Sequence, residues 1–374
     1  MTATVPYNLA PIASILLLGA LLAFGPVAWL WHRQRGQGVA ARLRALTVLT
    51  LCLTFDLVLF GAFTRLTDSG LGCPDWPGCY GQASPLGAHA QIGAAQSVLP
   101  DGPVTHGKAW VEMVHRYLAT GVGALIVVLT ALSWVEARRR SLAISPWWAS
   151  ATLLWVCVQG AFGALTVTMK LYPLIVTLHL LGGMVLLVLL AVQLPQREPL
   201  VMSRGLFRGA VALAALSALQ IALGGWVSTN YAVLACDGFP ACQGSWWPAM
   251  DFEHGFALLR ELGSGKDGGA LPFAALTAIH YVHRLVAYAL LLAMVAFAWR
   301  LHAHGLTRPW ALATAGIALW QLASGLSNVV LGWPLLGAVA HTAGAAAWVT
   351  LLTLLIAGAQ AVPQTAFRRM HAFP

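Results

Sequence analysis

The sequence predicts an all-α polytopic membrane protein: two pseudo-symmetric four-helix bundles preceded by one extra N-terminal transmembrane helix, nine spans in all. Three observations carry this. Hydrophobic residues make up 59% of the 374 and charged residues only 9%, where a soluble domain carries about 25% charged residues. Apolar stretches near the length that crosses a bilayer, about 20 residues, recur along the chain. The second half also repeats the polar landmarks of the first. So few charges could not cover the surface of a soluble protein this long, and a disordered chain would not be this apolar.

The stretches run at about 10–31, 43–65, 109–134, 147–169, 173–194, 206–228, 273–299, 309–330 and 334–359. Trp110, Trp147, Trp148, Trp299, Trp310 and Trp333 lie at their ends, where an aromatic belt belongs. Basic residues gather in alternate connections: Arg33 and Arg35, Arg42 and Arg44, Arg138 to Arg140, Arg197 to Arg208, Arg300 and Arg308, and Arg368 with Arg369. The positive-inside rule makes those connections cytoplasmic, with the N-terminus outside and the C-terminus inside. The opening residues, MTATVPYNLA, lack the basic region of a signal peptide, so the first span is expected to stay. The formal charge of +9 serves topology, and without a basic run interleaved with aromatics no nucleic-acid partner is expected. Expected domains are 1–42 for the extra helix and its link, 43–200 for the first bundle, and 201–374 for the second bundle and tail. The long connections 66–108 and 229–272 are external, and their Gly, Pro and polar content marks them as loops.

The repeat fixes the organisation. Cys73 and Cys79 recur as Cys236 and Cys242, Gln159 and His179 as Gln321 and His341, and His115-Arg116 as His283-Arg284. GAFTR at 61–65 aligns with GGWVS at 224–228. Each unit has an even number of spans, so the copies share one orientation, related by an axis along the membrane normal.

An ionisable residue within a span is costly and marks a functional site by default. His115, His179, His283 and His341 all fall roughly 9–15 Å below the external boundary, at 1.5 Å per helical residue. One histidine from each of two facing helices can hold a heme iron axially. A lone membrane histidine can equally well bond helices together, but two pairs at matched depth favour the metal. Zinc fits less well, because no third ligand recurs at that depth. Apart from His280, the remaining histidines (His32, His89, His106, His254, His302, His304 and His371) fall in or beside the connections and read as solvated or interfacial.

The halves differ around these pairs. Glu112 precedes His115 by one helical turn, whereas the second half has His280 there. Arg65 and Asp68 align with Ser228 and Tyr231. Acid/base work or stabilisation of a cationic species needs such charged groups, and an electron-transfer site does not. Arg65 and Glu112 could also be plain interfacial residues. Arg116 and Arg284 occur in both copies and suit a shared role such as pairing with heme propionates. Asp56, mid-span, suits either a proton relay or a hydrogen bond between helices. CPDWPGC and CDGFPAC each close a short external loop, consistent with a disulfide staple; a redox-active pair is the alternative. Cys52 and Cys157 are expected to pack within the spans as small hydrophobes.

TRLTDSGLGCPDWPGCYG at 64–81, EMVHRYLA at 112–119, LHLLGG at 178–183, the second His-Arg at 283–284 and the late His341 resemble the heme A synthase family of cytochrome oxidase assembly. The resemblance covers about 43–360; the extra first span departs from the family's eight-helix plan. It implies a heme b held by His283 and His341 in the second bundle. Heme O, the substrate, would lie near His115 and His179 in the first, with Glu112 beside the reacting porphyrin and Arg65 nearby. The implied enzyme is an oxidoreductase acting on a CH group: a ring methyl becomes a formyl group, giving heme A. Implied partners are a heme O synthase, the lipid bilayer, and oxidase assembly factors or a second copy of the chain. Without substrate chemistry, the same residues read as a di-heme b-type electron-transfer protein; a thiol oxidoreductase is a third reading.

Overall fold

The computed structural model describes residues 10–139, 145–194, 200–303 and 308–362. Arg140, Arg197, Arg368, Arg369, His304 and His371 lie outside them. In chain order the elements are α1 (Ala10–Arg33), α2 (Val39–Leu66), α3 (His89–Val98), α4 (His106–Arg138), α5 (Pro146–Thr168), α6 (Pro173–Ala191), β1 (Leu200–Ser203), α7 (Arg204–Thr229), α8 (Phe252–Gly255), α9 (Phe273–Ala303), α10 (Arg308–Val330), α11 (Leu335–Ala357) and β2 (Ala359–Val362). The fold is all-α apart from one two-stranded parallel pair, β1 with β2.

Among the described residues, eight helices are long and apolar enough to cross a membrane: α1, α2, α4, α5, α6, α7, α9 and α11. The ninth expected span is also a helix, α10, but Gln321, Ser324, Ser327 and Asn328 in its second half leave it less apolar. The buried hydroxyls of α2 are satisfied locally. Thr47, Thr50 and Thr54 of α2 each donate to the carbonyl four residues back, at 2.7–2.9 Å, the usual way a buried Thr meets its needs in a helix. Chain starts follow local chemistry: Thr105 and Ser203 cap α4 and α7 by accepting from Lys108 and Leu206 N–H. Proline opens α5 and α6 at the first helical position.

The chain divides into two compact units, Met1–Leu171 and Tyr172–Pro374. In the first, α4 is the central helix, packed by α1, α2, α3 and α5. The extra helix α1 approaches α4 at Gly19, where any Cβ would run into Thr120. Its core joins Ile15, Ile92, Met113 and Tyr117 to the half-cystines Cys73 and Cys79. In the second unit α7 packs on α9, α9 on α10, and α10 on α11, while α6 lies against α7 and α11. So α6, expected within 43–200, groups with the second unit. Trp348 of α11 donates its indole N–H to Ser217 of α7 at 2.8 Å, inside a core of Met294, Phe297, Leu301 and Leu352.

Cys52 and Cys157 do not pack inward as expected; both are exposed on α2 and α5. The reason is the solvent: lipid is as apolar as a protein core, so a small hydrophobe gains little by turning inward.

The repeat is written into the backbone of each copy. Left-handed φ values at Asp68, Tyr80 and Gly81 recur at Tyr231, Gln243 and Gly244, and those at Lys170 and Leu171 recur at Gly332 and Trp333. The Trp76–Pro77 and Phe239–Pro240 bonds are both cis.

The long loop between α7 and α9 carries its own ionic cluster. Asp251 caps α8 through His254 N–H, and the His254 ring meets Asp251 at 2.8 Å and Asp267 at 3.4 Å. Burial opposes the imidazolium, but hydrogen bonds to Asp267 and Asp251 outweigh it and raise the His254 pKa. The His254 backbone N–H lowers that of Asp251. The raised histidine stabilises the loop below its ordinary pKa, and that gain is lost as pH rises through the folded value. The depressed carboxylate stabilises it above its ordinary pKa, and that gain is lost as pH falls. Amide exchange across 251–267, corrected for intrinsic rates, is therefore expected to be slowest between about pH 4 and pH 6.5 and faster on both sides.

Candidate functional site

Each copy builds its site from the same parts: a glycine on one helix, a histidine ring against it, an arginine one residue on, and a disulfide loop. Cys73–Cys79 and Cys236–Cys242 are both formed. All four half-cystines are at most 2% exposed; thiol exchange needs an accessible sulfur, so their burial favours a structural role.

In the first unit, His115 of α4 lies over Gly61 of α2, where a Cβ would come within 3.0 Å of its ring. Phe60 lies nearly parallel to the same ring, at a centroid distance of 6.2 Å. One turn earlier on α4, Glu112 is 4% exposed. Its carboxylate accepts from Cys73 N–H at 2.8 Å and pairs with Arg116 at 2.5 Å. Arg116 also donates to the carbonyls of Asp75, Pro77 and Gly78 inside the disulfide loop. Arg65, in the last turn of α2, and Lys108, in the first turn of α4, both face Asp68, at 4.0 and 3.5 Å. Asp56 lies on an exposed face of α2.

The second unit repeats the frame with neutral chemistry. His283 of α9 lies over Gly224 of α7, with a Cβ again 3.0 Å from the ring, and His341 of α11 lies over Gly325 of α10 at 3.2 Å. Arg284 donates to Cys236, Gly238 and Ala241 carbonyls, clamping its loop as Arg116 does. Where the first unit has Glu112, His280 accepts from Arg284 Nε at 3.2 Å. What the geometry shows of the paired arginines is this loop clamp. His179 belongs to α6 in the second unit, half-buried, with a buried Nδ1 that meets no hydrogen-bond partner among the described residues.

Two side chains that sequence reasoning passed over touch the second-unit histidines. Gln220 places its amide 3.0 Å from His283 Nδ1, and Ser324 places its hydroxyl 3.0 Å from His341 Nδ1. A mid-span Gln in an apolar helix was the available signal.

These donors suit an iron porphyrin. A pair of neutral imidazoles is a donor set that a heme iron would accept. Half-buried rings resting on glycines leave room beside each imidazole that a Cβ would take.

Residues 44–354 match the family described as cytochrome oxidase assembly protein. The chain is similar to the heme A synthase of Shewanella oneidensis, 38% identical over 82% of this chain and 93% of the relative. It is also similar to the heme A synthases of Caulobacter vibrioides (29% identical, 80% of this chain and 91% of the relative) and Halalkalibacterium halodurans (27%, 76% and 86%). Motif, repeat and likeness over most of both lengths converge, and the chain belongs to the heme A synthase family of cytochrome oxidase assembly proteins.

Proposed function

We propose that this chain is a heme A synthase, an oxidoreductase that converts a ring methyl of heme O to the formyl group of heme A. One observation carries the reading: the same frame holds a buried carboxylate–guanidinium pair in the first unit, Glu112–Arg116, and a neutral imidazole at that position in the second. Counted against water, methyl to formyl releases four electrons and four protons. That chemistry needs a charged group that can move protons or stabilise positive charge beside the substrate.

His283 and His341 would hold a heme b, which when bound passes electrons singly between the reacting centre and an external acceptor. The sequence repeat matches His115 and His179 to that pair and assigns them to the substrate porphyrin. Glu112 takes the proton or charge-stabilising role. Cys73 N–H and Arg116 hold its carboxylate in place. Arg65, at the outer end of α2, compensates anionic groups there. The protein sits in the cell membrane with its N-terminus outside and its C-terminus cytoplasmic, and receives heme O from a heme O synthase.

Purification after expression with a source of heme O, followed by pigment extraction and chromatography, tests the reading. Heme A in the extract is the expected result. Unmodified b-type heme alone, in both sites, would assign the chain to electron transfer without substrate chemistry. Loss of all activity in Cys73→Ser, with folding intact, would instead favour the thiol reading.

A further inference from the structure

We propose that Lys108 joins Arg65 in gripping the two propionates of heme O, and that Asp68 is the carboxylate both cations hold until the substrate displaces it. The inference rests on the proposal that heme O occupies the first copy.

Lys108, Glu112 and His115 follow one another on α4 at helical spacing, so they share one face of that helix. Gly61 and Arg65 likewise share a face of α2, and Gly61 lies against the His115 ring. At 1.5 Å per residue, Lys108 stands about 10 Å along the axis from His115, and Arg65 about 6 Å from Gly61, both toward the loop. The propionates of a porphyrin project from one edge of the macrocycle. With its iron at His115 and that edge toward the loop, heme O brings both carboxylates to this pair of cations.

The two cations converge on Asp68, Arg65 at 4.0 Å and Lys108 at 3.5 Å. Their side chains are 13% and 22% exposed, whereas that of Asp68 is 55% exposed. A closely made bond between such groups is about 2.7–2.9 Å, so both contacts are long and the acid stands on the open side of the pair. Lys108 itself is fixed from behind. Its ammonium donates to the Gly102 carbonyl at 3.1 Å, and a Cβ at Gly72 would run into its backbone carbonyl. Two positive charges thus face one negative charge at rest. A dicarboxylate seated beside Asp68 would set three acids against two bases, so Asp68 turns away into water as the substrate arrives. On product release it returns and competes for the cations it left.

The backbone of Asp68 belongs to the shared frame: its φ is 52°, against 54° at its counterpart Tyr231. Only the side chain differs. By the repeat, Arg65 corresponds to Ser228 and Lys108 to Leu276, so the second copy carries none of these three charges.

The test uses full-length protein purified in detergent from cells that make heme b but no heme O. Heme O and its dimethyl ester, whose carboxylates are neutralised, are titrated by absorbance into wild type, Lys108→Ala, Lys108→Arg, Asp68→Asn and His115→Ala. Wild type should prefer heme O to the ester by about tenfold or more, and Lys108→Ala should weaken heme O binding by about tenfold, the worth of a bond to a charged group. Lys108→Arg should stay close to wild type. Asp68→Asn should tighten heme O binding by about threefold, the scale of a partly exposed ion pair, and slow its transfer to apomyoglobin. Asparagine accepts the left-handed backbone as aspartate does. The ester should bind the Lys108 and Asp68 variants as it binds wild type. A purely structural trio would lose affinity on either substitution. Asp68→Asn that fails to tighten heme O, or wild type that binds heme O and ester alike, therefore overturns the proposal while the substrate site stands. If wild type binds heme O no better than His115→Ala does, the placement of the substrate fails and takes the inference with it.

Discussion

Arg116→Ala is expected to destabilise the protein more than any other single truncation in the first loop, by about 3–5 kcal/mol, the usual cost of breaking a buried pair by removing one partner. The side chains of Arg116 and Glu112 are 10% and 5% exposed. Truncation thus leaves a carboxylate inside the protein with only the backbone N–H groups of Gly72 and Cys73 to meet it. It also strips the carbonyls of Asp75, Pro77 and Gly78 of a common donor. Arg116→Lys should rescue little, because a single ammonium cannot serve three carbonyls and a carboxylate as a planar fork does. Two comparisons separate charge from clamp. Arg284→Ala removes the matching clamp but leaves His280, which need not carry charge, so its cost should be smaller, about 1.5–3 kcal/mol for lost bonds to a charged group. Glu112→Gln combined with Arg116→Ala should be more stable than Arg116→Ala alone, since the stranded charge is gone. Thermal unfolding of the purified proteins gives the order directly. Equal losses for the two arginines, or no rescue in the double variant, would remove the buried pair as the cause.

The helices were legible because membrane burial imposes long apolar runs, and lipid on the outside asks for nothing subtler. The same indifference explains what was not legible. Cys52 and Cys157 look like packed core residues, yet either face of a span is apolar and their direction leaves no trace. The polar half of α10 set it apart from the other spans by composition. Gln321 and Ser324 there face His341, with Gln321 donating to its carbonyl at 3.1 Å and Ser324 bonding its ring. Contacts with His341 take up two of those polar groups.

Within the site, residue types were legible and partners were not. The histidines stood out because an imidazole mid-span is costly, and the cysteines because their loops repeat. The loop clamp by Arg116 and Arg284 could not be foreseen, since its acceptors are backbone carbonyls and every residue carries one. Ser324 was hidden for a similar reason. Thr47, Thr50 and Thr54 are also mid-span hydroxyls, and they bond only to their own helix. Gly61 and Gly224 were aligned in the repeat, but only the rings of His115 and His283 above them show that a Cβ there would press on an imidazole.

Glu112→Gln should separate chemistry from architecture. The amide is nearly isosteric, its oxygen can still accept from Cys73 N–H, and Arg116 keeps its three loop carbonyls. Loss of the charge removes one strong bond to Arg116 without stranding a carboxylate, so folding, disulfide formation and heme content should stay close to wild type. Heme A formation should not. A group that moves a proton or faces developing positive charge contributes about 10²–10⁴-fold, and a carboxamide does neither at neutral pH. Single-turnover formation of heme A from bound heme O, followed by chromatography, measures this without interference from product release. His280→Glu in the second unit is the counterpart: on the proposed assignment of the chemistry to the first copy, a carboxylate added to the frame there should leave the single-turnover rate unchanged within about twofold. A Glu112→Gln protein that keeps its hemes and forms heme A at the wild-type rate would reduce Glu112 to an anchor for Arg116 and the Cys73 loop. The asymmetry between the copies would then concern stability alone.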